Sequence, residues 1–307
     1  MNKLWILSAT ATLAVAQTVA PPLGTVNALT GQVTLNGEEL PAQLQPSTTV
    51  APGQVLETGQ GNAEVLLGPG AFFRLGAGSA MRMGFAAENS TGVELLKGEA
   101  MLEVDAPIPG ERLAVLMNGA TAVATKPGFY AFRADDGAVA VLDGEATVYQ
   151  GNAHVALKKD HSITLAAGGK LKAEKLDPAV FDQDPLYQWS EDRSQAESQA
   201  NLTAAQDISA AGAAYSTNPW YWDDFADCYV FVPAGGIFYS PFGWGFYAPG
   251  TVWRAHPPIN FHYHPVGTAG RVSAAVRPVH AFSGHVGSVG GGFHGEIGGG
   301  HAGGNRR

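Results

Sequence analysis

The residue types best suited to chemistry are concentrated in the last third of the 307-residue chain. Seven of the nine histidines follow Gly250, and His262-Tyr263-His264 would place two imidazoles on one face of an extended segment, a spacing that a metal ion can bridge. His262 and His264 are therefore the candidate metal ligands. No cysteine and only one acid, Glu296, accompany them, and the Gly-rich chain around them cannot preorganise ligands, so the expected binding is adventitious. Asp223, Asp224 and Asp227 stand among aromatic residues and invite comparison with a glycosidase. Paired carboxylates do that chemistry only at a defined separation across a bound sugar. Sequence neighbours on a turn do not provide it, and these acids read as solvated and turn-forming. The sequence contains no Gly-x-Ser-x-Gly elbow, no His-Glu-x-x-His helix and no P-loop. No catalytic residue and no cofactor is assigned, and the chain reads as a non-enzyme.

The aromatic residues form the other concentration. Twelve of the 29 positions from Pro219 to Tyr247 are aromatic. Trp220-Tyr221-Trp222, Tyr229-Val230-Phe231-Val232 and Ile237-Phe238-Tyr239 alternate like strands, and Phe242 to Tyr247 follows a Ser-Pro turn. Two readings stay open. The rings form a small core docked on the rest of the protein, or Trp220, Trp222, Tyr239 and Trp244 present a platform to a glycan or a protein partner, since Trp and Tyr combine broad apolar faces with a polar edge. Cys228 lies inside this block; with no second cysteine it has no intramolecular disulfide partner, and it reads as a buried thiol.

What must position these residues is a chain of several parts. Met1-Asn2-Lys3 and the apolar run to Ala14 read as a signal peptide ending at Ala16, which makes the chain an exported one with no membrane span after cleavage. From 24 to 176 short apolar alternations are separated by Gly, Asn and Pro, as in Ala63-Glu64-Val65-Leu66-Leu67 and Phe72-Phe73-Arg74-Leu75 around Gly68-Pro69-Gly70. Asp143-Gly144-Glu145 reads as a turn between two further strands, and Arg74 beside Leu75 reads as alternation across a half-exposed strand. The fold class expected is all-β, an antiparallel sandwich, roll or solenoid, followed by one helix, a small aromatic β-hairpin and a disordered tail. Asp184-Pro185 supplies a cap and a first-turn proline for a helix over 184–211, whose thin stripe of Leu186, Trp189, Arg193, Ala196 and Ala200 predicts a largely wet linker. The aromatic hairpin occupies 218–249. The Pro-, His- and Gly-rich remainder, 250–307, has Gly at 11 of the 21 positions from Gly284 to Gly304, too little apolar side chain to order itself.

The formal charge of −9 is uneven: +4 from Gly250 onward and −13 before it. The acidic body argues against nucleic acid as a partner, while the basic end suits an anionic surface.

The β region resembles the FecR domain, a bacterial periplasmic module. The resemblance runs through Gly31-Gln32-Val33, Val50-Ala51-Pro52-Gly53-Gln54-Val55-Leu56-Glu57-Thr58-Gly59 and Gly61-Asn62-Ala63-Glu64-Val65-Leu66-Leu67. It continues through Arg74-Leu75-Gly76-Ala77-Gly78-Ser79, Leu95-Leu96-Lys97-Gly98-Glu99-Ala100 and Val139 to Val148, about half the chain. It implies a fold and a compartment more than an activity. In the best-known members the domain senses an outer-membrane receptor and controls a sigma factor through a cytoplasmic arm that precedes a transmembrane helix. Here the domain follows the leader directly. The function expected is that of a protein-binding or signal-sensing module of the envelope, with an envelope protein or cell-wall polysaccharide as its partner. The alternative is a structural or glycan-binding surface protein that attaches through its aromatic segment.

Overall fold

Residues 21, 23–87, 90–106, 112–165, 170–215, 218–223 and 227–255 are described by the structure, a computed structural model. The expected leader, His262, His264 and the chain beyond Ala255 lie outside the described residues.

The turn-punctuated alternation folds into strands throughout 24–176. They are β1 (Val26–Leu35), β2 (Glu38–Glu39), β3 (Val55–Gly68), β4 (Ala71–Leu75) and β5 (Ala80–Ala87). Next come β6 (Ser90–Lys97), β7 (Glu99–Val104), β8 (Arg112–Met117), β9 (Ala120–Ala124) and β10 (Gly128–Arg133). Last are β11 (Ala138–Asp143), β12 (Glu145–Gln150), β13 (Ala153–Lys158), β14 (His161–Thr164) and β15 (Glu174–Lys175). All belong to one sheet, in the order β13-β12-β9-β8-β6-β5-β3-β4-β7-β10-β11-β14-β15, with β1 along β3 and β2 along β1. The pairs are antiparallel except β6 with β8, which run parallel, so the sheet is mixed where a purely antiparallel one was expected.

The sheet curls so that its two halves share one core, in which Phe73, Leu75, Leu102, Tyr130 and Val141 meet Met81, Val93, Val115, Val148 and Leu157. The chain passes between halves at sharp corners. Asp143-Gly144-Glu145 is one of them. It is a corner and not the hairpin turn that the sequence suggests, because β11 pairs with β10 and β14 while β12 pairs with β9 and β13. Gly144 sits at φ +89, and a Cβ there would run into the Tyr130 hydroxyl and the Pro127 carbonyl. Gly98, between β6 and β7 at φ +73, makes the equivalent corner.

The halves differ in what covers them. Strands β12 and β13 leave much of one face in water. In the other half β4 is buried at all five positions and β7 at all but its first. The outer face of that half is covered by helix α1 (Pro185–Ala210) and two small hairpins, β16 (Trp220–Asp223) with β17 (Cys228–Phe231) and β18 (Ile237–Tyr239) with β19 (Gly245–Tyr247). A 3-10 turn at Pro249–Arg254 carries regular structure past the boundary expected at 249. The cap of α1 is as its sequence suggests: Asp184 accepts from the amides of Leu186 and Tyr187 ahead of Pro185. Its buried face is another matter, running through Leu186, Ser190, Ser194, Glu197, Asn201, Ala204 and Ala205, while Ala196 of the expected stripe is exposed. The helix is thus docked along its length on a mainly polar face.

Candidate functional site

The covered face has three patches. At one end Leu66 and Phe72 pack under Trp220, Tyr229, Phe231 and Phe246 of the hairpins. At the other, Met101, Phe129, Ala131, Ala140 and Leu142 pack under Phe181 and Leu186. Between them the sheet presents charge. Glu64 on β3, Arg74 on β4 and Glu103 on β7 are all fully buried beneath Glu197 of α1. Arg74 is therefore an interior residue and not part of a half-exposed strand: both faces of β4 are covered, so apolar and charged positions are buried alike.

Arg74 donates from Nε to Glu64 Oε2 at 2.8 Å, from Nη1 to Glu103 Oε2, and from Nη2 to Glu197 Oε2 at 3.4 Å. Arg193, 18 % exposed at the margin, donates from Nη2 to Glu64 Oε1 and Glu197 Oε1, both at 2.8 Å. Ser194 donates to Glu103 Oε1 at 2.7 Å. Two asparagines fasten the hairpins to this frame. Asn27 donates to Glu64 and to the Tyr229 carbonyl, and accepts from the Tyr229 amide, across 202 positions of chain. Asn201 donates to the carbonyls of Phe231 and Tyr247 and accepts from the Tyr247 amide at 2.7 Å.

Four carboxyl groups face these two guanidinium groups, the fourth being Asp105, buried with neither oxygen hydrogen-bonded. Burial and the neighbouring Glu103 push Asp105 well above the carboxylate range. Burial and the charge of Glu64 do the same to Glu197. Burial acts on Glu64 in the same sense, but Arg193 and Arg74 outweigh it and hold Glu64 far below its ordinary value. Four carboxyl groups are thus gathered around two guanidinium groups, and burial works against ionisation of Asp105 and Glu197.

The pH dependence follows from those directions. The contribution of the raised pair, Asp105 and Glu197, is complete below the ordinary carboxylate range and is lost as pH rises through their folded-state values; that of Glu64 is lost as pH falls below the ordinary range. Asp105→Asn removes one of the two contributions that are lost as pH rises. It is expected to flatten the decline in stability as pH rises above the ordinary carboxylate range and to gain on the parent there, measured by urea denaturation across pH. A parallel, unshifted decline in the variant would contradict this.

Of the clefts that border the docked helix among the described residues, two have aromatic side chains in their lining. One, of about 240 Å³, opens beside Asn27, Trp189, Arg193 and Cys228. Burial pushes the Cys228 thiol up to about 12, so it is an inert interior group, in keeping with its sequence reading. The other, of about 290 Å³, lies where β10, β11, the start of α1 and the β18–β19 loop meet. Its floor holds three rings in mutual edge-to-face contact: Phe129 and Phe242 at 4.9 Å between centroids, Tyr187 and Phe242 at 5.5 Å, Phe129 and Tyr187 at 5.8 Å. Asp143, Asp160, Asp182, Glu191 and Lys159 stand around it.

The four aromatic residues singled out by sequence do not form one surface. Trp220 is buried, edge-on to Phe72, and belongs to the core. Trp222 is half-buried against Tyr229 and joins the same cluster. Trp244 is half-buried, its Nε1 enclosed without a hydrogen-bond partner. Tyr239 is 60 % exposed. An exposed ring that sequence reasoning missed is Trp253, 74 % exposed with the Arg254 guanidinium 4.6 Å from its centroid. Of the acids, Asp223 ends β16 and Asp227 precedes β17, where it accepts from Gln43; Asp224 is outside the described residues. Among the described residues no three His, Cys, Asp or Glu groups converge to hold a metal ion. The ionic cluster did leave a sequence signal: single charges inside apolar strand runs, at Glu64, Arg74 and Glu103, together with polar residues at helical spacing.

No family model matches the sequence, and no curated protein matches it. Among solved structures, the chain is similar to two crystal structures described as a candidate anti-sigma factor from Parabacteroides distasonis ATCC 8503. One is 21% identical with a TM-score of 0.37, over 42% of this chain and 64% of the other. The second is 22% identical with a TM-score of 0.35, over 40% and 60%. The chain thus spans less than two thirds of either neighbour.

Proposed function

We propose that the chain is an exported, non-enzymatic protein of the bacterial envelope in which a FecR-type β domain, fused to its helix and hairpins, works as a protein-binding or signal-sensing module. The observation that carries this reading is the 290 Å³ cleft, whose walls come from the sheet, the helix and the hairpin loop together. A site assembled from three separately encoded elements is held in shape by the bonds that dock them, which suits recognition of a partner. The test is a photoreactive residue at Gln188, on the cleft rim, in the full chain expressed in an envelope-bearing host. The expected result is leader removal near Ala16, fractionation with the envelope, and cross-linking of a defined envelope protein that a probe at Gln150, on the opposite half of the sheet, does not capture. Retention in the cytoplasm, or identical products from both positions, would overturn the reading.

A second reading, attachment to cell-wall polysaccharide, is favoured by Tyr239 and Trp253, which with Tyr215 are the most exposed aromatic rings among the described residues. It requires co-sedimentation with purified cell wall that falls at least several-fold in Tyr239→Ser with Trp253→Ser; unchanged sedimentation excludes it.

A further inference from the structure

We propose that the 290 Å³ cleft receives a lysine or arginine side chain from a basic segment of the protein partner. This rests on the protein-binding reading above and specifies what the bound segment offers. The volume lies at the lower limit of pockets that hold small ligands, roughly 300 Å³, and suits one long side chain more than a cofactor. Phe129, Tyr187 and Phe242 give the cleft an aromatic lining, on which a methylene stem packs and whose ring faces attract a cation. The rim carries Asp143, Asp160, Asp182 and Glu191 against one cation, Lys159, a formal excess of three negative charges. Lys159 answers Asp143 at 3.2 Å. Asp160 Oδ1 is enclosed with no hydrogen-bond partner, and the Asp182 carboxylate has no bonded partner among the described residues.

These features together select the ligand. A divalent ion would need carboxylates drawn together, and no such group exists among the described residues. An acidic or neutral ligand would leave Asp160 and Asp182 unanswered. A cation on an aliphatic stem satisfies both floor and rim, and the −13 charge of the chain before Gly250 steers a basic segment towards it.

The experiment titrates the full chain with acetyl-Leu-Lys-Leu-amide and with its uncharged norleucine analogue, by calorimetry at low and at physiological salt. The lysine peptide is expected to bind at least tenfold more tightly, with the advantage shrinking as salt rises. Asp160→Asn with Asp182→Asn should erase the difference. Asparagine tolerates the positive φ of Asp160, and Asp182→Asn alone, at an exposed position, serves if the pair fails to fold. Equal affinity for the two peptides, or an undiminished preference in a folded variant, would overturn the inference. The cross-linking at Gln188 separates the two levels. A captured envelope protein without lysine preference leaves the module reading standing and this inference fallen; a lysine preference with no captured protein overturns the module reading and leaves only the cleft's preference for a cationic stem.

Discussion

Replacing Arg74 with methionine is expected to destabilise the protein by about 3–5 kcal/mol, the cost of leaving buried carboxylates without their cation. Chemical denaturation at neutral pH would show this as a lower midpoint. Arg74 bonds to Glu64, Glu103 and Glu197, each 1 % exposed or less, so water cannot take its place. Adding Glu64→Gln and Glu103→Gln to Arg74→Met removes most of the uncompensated charge and should recover part of the loss. Arg193→Met should cost less, because the margin where Arg193 sits admits solvent. An Arg74→Met protein as stable as the parent would mean that the cluster is not ionised as described.

Replacing Asn201 with leucine is expected to cost about 3 kcal/mol, on the scale of buried polar groups left unbonded. Leucine keeps the size but abandons the Tyr247 amide and the carbonyls of Phe231 and Tyr247. The loss should be local. Hydrogen exchange should accelerate at Tyr247 and in β17, while the protection of β10 and β11 stays as in the parent. A substitution at the exposed Ala196 should do neither. Uniform loss of protection through the whole sheet would show instead that hairpins and sheet unfold as one unit.

Much of the fold was legible because its signals are local. Asp184-Pro185 marks the start of α1, and the Gly-punctuated alternation marks the strands. The misreadings share a physical origin. In Phe72-Phe73-Arg74-Leu75 a period of two separates one face from the other, but it cannot say whether the second face meets water or another layer. Ser190, Ser194, Glu197 and Asn201 have the spacing of a buried helix face and the composition of a wet one. Only the charges waiting at Glu64, Arg74 and Glu103 reconcile the two, and they lie more than eighty positions earlier. Gly144 looked like a hairpin because a tight turn and a corner between sheet halves call for the same residue. The cleft was invisible for a related reason: Phe129, Tyr187 and Phe242 are each ordinary where they stand, and three distant segments make the site.

The clasp between Asn27 and Tyr229 has a consequence for how the chain is made. Synthesis releases β1 some two hundred residues before the hairpin that locks onto it. For that interval the covered half of the sheet stands without α1 and without its aromatic cover. An apolar surface of that extent would invite association with other nascent chains. The outer face instead carries Glu64, Arg74 and Glu103 across its middle, so the unfinished domain meets water with charged groups already in place. The same side chains later become the seat of the helix, which arrives with matching polar groups and displaces the solvent last.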